Sequence, residues 1–334
     1  MTDAIIETRG LTKRYGAVTA VDSLDLSVRK GEIFGLLGPN GAGKTTTTLM
    51  LLGLTEPSAG SASIAGVDCT RNPLQVKRFV GYLPDNMGFY PDMTGRQNLR
   101  MTGEMNGLSG ELLEARIDEL SARVGMAGAV DRKTGAYSKG MKQRLGIADI
   151  LMKDPDVLIM DEPTNGIDPE GMRELMDLIR ELADKDGKTI LISSHQLHQI
   201  QQICDRVGIF VKGKLVACGQ ISELGRQLEQ EGSFRLEVGA EPGGQELGDA
   251  LRAVPGALEV EESGEVFKVR SGEDLCDEVA RTLLAQGFHL TYLRRCGSDL
   301  DEIYSRYFVK AGEQHENSRS SGRGLLRRKS EAGA

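Results

Sequence analysis

No stretch of the sequence reaches the roughly 18–20 consecutive apolar residues that a membrane-crossing helix needs. The longest apolar runs, at Ile33–Leu37 and Val157–Met160, have the length of buried strands. The opening MTDAIIETRG lacks a basic segment followed by an apolar one, so no secretory leader is expected and the chain is assigned to the cytosol. Excess positive charge is missing too. With 41 lysine and arginine residues against 49 aspartate and glutamate, the formal net charge is −8, which argues against a dedicated nucleic-acid binder, whose footprint would be strongly basic. The five cysteines (Cys69, Cys204, Cys218, Cys276 and Cys296) are odd in number and form no C-x-x-C pair. Neither a disulfide framework nor a zinc site is expected from them, only reduced thiols. Tryptophan and internal repeats are absent, yet 39% hydrophobic and 27% charged residues describe a folded, water-soluble chain.

At 334 residues the length suits two globular domains, and the texture changes near residue 220. Before that point, apolar runs alternate with helical patterns, the signature of a mostly parallel sheet covered by helices. Ile33–Leu37 leads through a Gly-rich turn into a helix over Thr45–Leu52; Val157–Met160 and Thr189–Ile192 are two more strands. Between them Met172, Leu175, Met176, Ile179 and Leu182 recur at helical intervals, with Gly187 placed to stop that helix. From about residue 94 to 153 strand signals vanish and helical segments (Gly95–Met105, Glu111–Val124, Lys139–Met152) follow one another, which predicts an all-helical insertion. Residues 221–310 read as a small α+β domain in the order β-α-β-β-α-β, the ferredoxin-like motif. A closing helix is expected from the N-cap Ser298, with Leu300, Ile303, Tyr304, Tyr307 and Phe308 as a packing stripe. The polar tail 311–334 is expected to be disordered, and its Arg327-Arg328-Lys329 cluster is too small to claim a lipid contact.

One motif carries chemistry by itself. Gly38-Pro39-Asn40-Gly41-Ala42-Gly43-Lys44-Thr45 fits the phosphate-loop pattern G-x-x-x-x-G-K-[ST], with an apolar strand before it and a helix after it. Glycines let successive backbone N–H groups turn inward as an anion nest, reinforced by the positive end of the helix. Lys44 supplies charge for the β- and γ-phosphates, the Thr45 hydroxyl can ligate Mg²⁺, and Thr46 completes the expected nucleotide-binding run. Alone, the loop says only nucleoside triphosphate. A second strand, Val157–Met160, ends in Asp161-Glu162. Asp161 is placed to hold the Mg²⁺ shell, and Glu162, where the chain leaves the sheet, to act as general base or to position water.

In this motif order, Tyr137-Ser138-Lys139-Gly140-Met141-Lys142-Gln143-Arg144 resembles the signature sequence of ABC transporter ATPases, whose usual form is L-S-G-G-Q. Ser138 and Gly140 match; Tyr137, Lys139 and Met141 depart. The resemblance continues in Gly166-Ile167-Asp168-Pro169, like the family's D-loop, in His195, like its switch histidine, and in Tyr15, like the aromatic that stacks on adenine. It covers about residues 4 to 220 and implies an α/β P-loop ABC ATPase domain with a helical subdomain. It implies ATP and Mg²⁺ as cofactors, and two subunits closing head to tail over two ATP molecules. Ser138 and the helix beginning near Gly140 would face the γ-phosphate held by the other subunit's Lys44, with Asp168 coupling the two sites. Lys44, Glu162 and His195 are the catalytic set that the resemblance implies.

Gly81-Tyr82-Leu83-Pro84-Asp85 aligns with the loop where many relatives carry a metal-reaching Gln, so Asp85 joins Thr45 and Asp161 as a candidate metal ligand. An acid at that place, the Tyr-Ser-Lys-Gly-Met form and the trailing small domain resemble bacterial exporters of drugs, peptides, sodium or polymers, and subunits assisting copper-enzyme maturation. The partners implied are a separate transmembrane permease and a second copy or paralogue, with the ATPase peripheral on the inner face of the membrane. A soluble ABC ATPase acting on ribosomes or DNA is the alternative, disfavoured because such members carry two ATPase halves or long coiled coils. A P-loop kinase or GTPase would not need the Ser138–Arg144 signature.

Overall fold

The computed structural model of the chain describes residues 4–196, 200–230, 234–264, 266–296 and 303–307. These form two compact units divided between Cys218 and Gly219.

The N-terminal unit holds two sheets. A long hairpin, β1 (Ala4–Tyr15) and β2 (Val18–Arg29), joins β4 (Ala59–Ile64) and β5 (Val67–Asp68) in an antiparallel sheet of order β2-β1-β4-β5. The sequence reading foresaw no such sheet. A six-stranded sheet has the order β10-β9-β3-β8-β7-β6, from β3 (Ile33–Leu37), β6 (Val80–Leu83), β7 (Val157–Asp161), β8 (Thr189–Ser194), β9 (Arg206–Val211) and β10 (Lys214–Gly219). The pairings β6–β7, β7–β8, β8–β3 and β3–β9 are all parallel. Every residue of β3, β7 and β8 is buried, as unbroken apolar runs in a covered parallel sheet should be.

Helix α1 (Lys44–Leu51) reads KTTTTLML, a poor helix on propensity because Thr is β-branched. Tertiary burial overrides this: Met50 and Leu51 share one apolar cluster with Ile6 and Leu24 of the antiparallel sheet and Phe34, Ile159 and Leu191 of the parallel sheet. Helix α2 (Pro73–Phe79) precedes β6. Helices α3 (Gly95–Met105), α4 (Gly110–Arg123) and α5 (Lys139–Leu151) occupy the stretch read as a helical insertion, and Leu99, Leu113, Ile117, Leu120 and Leu145 are buried. Thr94 starts α3 with a reciprocal capping box to Gln97. Helix α6 (Pro169–Asp184) buries Leu175, Met176, Ile179 and Leu182. Gly187, at φ +66°, donates its amide to the Ala183 carbonyl and ends it.

The C-terminal unit begins with α7 (Ile221–Gln230) and continues β11 (Phe234–Glu241), α8 (Gln245–Arg252), β12 (Ala257–Ser263), β13 (Val266–Ser271), α9 (Cys276–Ala285) and β14 (His289–Cys296). Its antiparallel sheet has the order β12-β13-β11-β14, the ferredoxin-like arrangement. Leu236, Val238, Leu251, Val269, Val279 and Leu283 build a core of its own. Residues 303–307 are helical with Ile303 fully buried; Ser298, Leu300, Phe308 and the tail 311–334 lie outside the described residues. Cys69, Cys204, Cys218 and Cys276 are free thiols.

Candidate active site

Strands β7, β8 and β3 lie side by side and parallel, so the three segments that follow them leave the sheet at one edge. After β3 comes the phosphate loop, at the end of β7 the Asp161-Glu162 pair, and after β8 His195. The register sets Asp161 opposite Ser193 and Leu37 opposite Ser194. Sequence-distant groups thereby converge on a cavity of about 290 Å³ lined by Ala20, the run Asn40 to Thr46, Asp85, Asp161 and Glu162.

The loop's backbone demands its glycines. Gly41 (φ +79°) and Gly43 (φ +110°) hold left-handed conformations. A Cβ on Gly43 would also come within 2.4 Å of the Ala20 carbonyl oxygen. Gly43 caps α1 without any side chain, and no acid stands in the first turn. Among the described residues, no protein acceptor takes the amides of Gly43, Lys44, Thr45 or Thr46. Open amides at a helix start, beside a lysine, constitute an anion site.

Lys44 is buried; its Nζ donates to the Gly38 carbonyl (2.7 Å) and the Pro39 carbonyl (3.3 Å) and stands 3.5 Å from Glu162 Oε1. The Thr45 hydroxyl donates to Asp161 Oδ2 at 3.1 Å, and the Ser193 hydroxyl donates to Asp161 Oδ1. Hydroxyl and carboxylate oxygens at the cavity wall are a hard donor pair suited to Mg²⁺, which uses one or two protein oxygens and completes its shell with phosphate and water. The residues present fit both a triphosphate and that metal.

Glu162 is the strained member. Its φ is +50°, a conformation a non-glycine residue rarely holds without compensation, and its amide donates to the Ser193 carbonyl at 3.0 Å. Its carboxylate lies between two cations or donors: Lys44 on Oε1, and His195 Nδ1 at 2.8 Å from Oε2. Asp85 also faces the cavity, but its Oδ1 accepts from Lys139 Nζ (3.3 Å) and Asn165 Nδ2 (3.2 Å).

Seven sequence candidates are not among the cavity's lining residues: Gly38 and Pro39, whose carbonyls accept from Lys44, His195, which reaches Glu162, and Tyr15, Ser138, Gly140 and Asp168. Tyr15 stands half-exposed at the end of β1 with Lys13 Nζ 4.9 Å from its ring centre. Ser138 is the exposed N-cap of α5, its hydroxyl accepting from the Met141 amide at 3.2 Å, and Gly140 lies in the first turn of that helix. Asp168 caps α6; the Gly171 amide, 2.9 Å away, holds its carboxyl below the usual carboxylate range.

Comparison with known proteins matches these features to a family. Residues 21–165 match the ABC transporter family model. The chain is 45% identical over 212 residues to the bacitracin transport ATP-binding protein BcrA of Bacillus licheniformis, covering 64% of this chain and 68% of that protein. The chain belongs to the ABC transporter ATP-binding family. Across a longer span it is 33% identical to the ABC transporter ATP-binding protein YdbJ of Bacillus subtilis, covering 95% of this chain and 98% of that protein. It is also 37% identical to the daunorubicin resistance ATP-binding protein DrrA3 of Streptomyces coeruleorubidus, over 76% of this chain and 79% of that one. Among solved structures, an ATP-binding subunit of an ABC transporter matches with a TM-score of 0.61 at 31% identity, covering 67% of this chain and 93% of that chain.

Within this ATP-binding cassette, four residues of the site escaped the sequence reading. Ala20 floors the loop from a distant hairpin, and no sequence signal marks it. Ser193 is the penultimate residue of a buried strand, two residues before His195, a position from which its contact with Asp161 could have been inferred. Lys139 sits inside the signature-like run and Asn165 just before the D-loop-like run, but their shared partner Asp85 is a matter of tertiary structure.

Proposed function

We propose that this chain is the ATP-hydrolysing subunit of an exporter-type ABC system, paired with a second copy or a paralogue and driving a separate membrane permease from the cytoplasmic face. One observation carries the hydrolytic reading: a carboxylate held at a strained backbone position, one residue beyond the metal-side Asp161, gripped by Lys44 and His195 above an open anion nest. The exporter direction is supported by relatives named for bacitracin transport and daunorubicin resistance.

The amides from Gly43 to Thr46 and the Lys44 ammonium take the phosphate oxygens, the atoms on which charge spreads as the γ-phosphoryl group leaves. Thr45 Oγ1 and Asp161 Oδ2 would hold Mg²⁺, which when bound would supply positive charge against the phosphate oxygens. Glu162 orients the attacking water and accepts its proton. His195, tied to the same carboxylate, brings its imidazole to the γ-phosphate side. Asp85, held on Oδ1 by Lys139 and Asn165, is left out of the metal's ligand set. Tyr15 stacks on adenine, Ser138 and the Gly140 amide serve the triphosphate held by the other subunit, and Asp168 couples the two sites.

Glu162→Gln keeps the shape and removes the base. Phosphate release from Mg-ATP should fall by about 10²–10⁴-fold while ATP binding persists. Undiminished turnover would take Glu162 out of its role.

A further inference from the structure

Three loops share one carboxylate oxygen. Asp85, after β6, accepts on Oδ1 from Lys139 Nζ at 3.3 Å and from Asn165 Nδ2 at 3.2 Å. Lys139 is the first residue of α5, next to its cap Ser138, and Asn165 lies in the turn after β7. The lysine's stem lies across Gly166, its Cδ 3.1 Å from where a Cβ on that glycine would stand. A bare, left-handed glycine (φ +70°) at this spot thus gives the stem its path to Asp85.

The position of this cation is electrostatically wrong for the helix that bears it. The N-terminus of a helix carries partial positive charge and favours anions. Yet α5 opens on Lys139 with no acid in its first turn. The ammonium therefore needs an anion from outside the helix. In this structure one half-exposed carboxylate supplies it, and a polyphosphate would supply it better. Asp85 in turn borders the cavity that contains Lys44, so the same acid touches both the site of this chain and the cation of the signature turn.

We propose that Lys139 is a phosphate-contacting residue held in reserve. Asp85 retains its ammonium within the chain until the triphosphate presented by a second copy takes it, so the Asp85–Lys139 pair sets how much ATP is needed for two copies to close. The inference rests on the ATPase-pair reading above and adds to it a specific cation and a device that restrains it. Asp85 acts through Lys139 as a positioning residue; Asn165 steadies the carboxylate.

The test uses the full chain carrying Glu162→Gln, so that ATP is not consumed, and light scattering to find the Mg-ATP concentration at half-maximal pairing. Asp85→Asn, which keeps the shape and frees the lysine, should lower that concentration by about two- to fivefold, the worth of an exposed ion pair. Lys139→Gln should raise it by about tenfold or more, as loss of a charge-assisted phosphate contact requires. Lys139→Arg should stay near the parent, which separates loss of charge from disturbance of the fold. Combined with Lys139→Gln, Asp85→Asn should have no further effect. If Asp85→Asn instead raised the ATP requirement, or shifted it equally with and without Lys139, the restraint would be refuted while the ATPase-pair reading stood. If Lys139→Gln left the requirement unchanged, the phosphate contact would be refuted on its own. Absence of pairing in every variant would bring down the ATPase-pair reading itself and this inference with it.

Discussion

At the scale of residues, the cavity is defined by groups that have exchanged ordinary stability for position. Gly43 has no alternative, since its left-handed φ and the Ala20 carbonyl 2.4 Å from a would-be Cβ exclude any side chain. Gly43→Ala is expected to destabilise the chain by about 1–3 kcal/mol, measured by urea denaturation, and to abolish ATP binding. Lys44→Ala removes a buried charge that faces both the loop carbonyls and Glu162. ATP affinity should fall by at least about tenfold in a direct titration, and an unchanged affinity would contradict its placement. The residue types at this site were legible: the phosphate-loop spacing, the acid pair ending a strand and the later histidine all meet as expected. Their conformations were not. The left-handed backbone of Glu162 and the Ser193 contact with Asp161 come from strands over 30 residues apart in sequence, 32 between Ser193 and Asp161. No local pattern encodes such a dihedral.

At the scale of elements, period and burial explain what could be read. Strands β3, β7 and β8 are buried along their whole length, so each appears as an unbroken apolar run. The hairpin β1–β2 is different. Register shifts near Thr8, Leu11 and Lys13 break the alternation of inward and outward residues, and the polar run Glu7-Thr8-Arg9 hides a strand that buries Thr8. Helix α5 contains its own test. Asp149 is desolvated by burial, which raises its pKa despite the Thr102 hydroxyl bonded to it and the nearby Lys153. A carboxyl raised in the folded state contributes stability fully below the ordinary carboxylate pKa, and that contribution is lost as pH rises through the folded value. Asp149→Asn should therefore melt higher than the parent at pH 8, with the difference shrinking toward pH 4. Equal differences at both pH values would argue against a desolvated acid.

At the scale of the whole molecule, each unit has a separate core, and the cavity draws its lining from Ala20 to Glu162 alone. Leu236→Ala, a large-to-small change at a fully buried position of the C-terminal sheet, should cost that unit about 2–5 kcal/mol. ATP affinity should hold, and a matching loss of nucleotide binding would show the two units to be energetically linked. The ferredoxin-like order of strands was legible because β11, β13 and β14 present apolar residues to one covered face. Under the proposed function the chain must close with a partner upon binding nucleotide. The most direct measurement is the molecular mass and bound nucleotide of the Glu162→Gln protein in Mg-ATP, by light scattering with nucleotide quantification. A lasting pair retaining one unhydrolysed ATP per chain is the expected result; single chains free of nucleotide at saturating Mg-ATP would contradict the account.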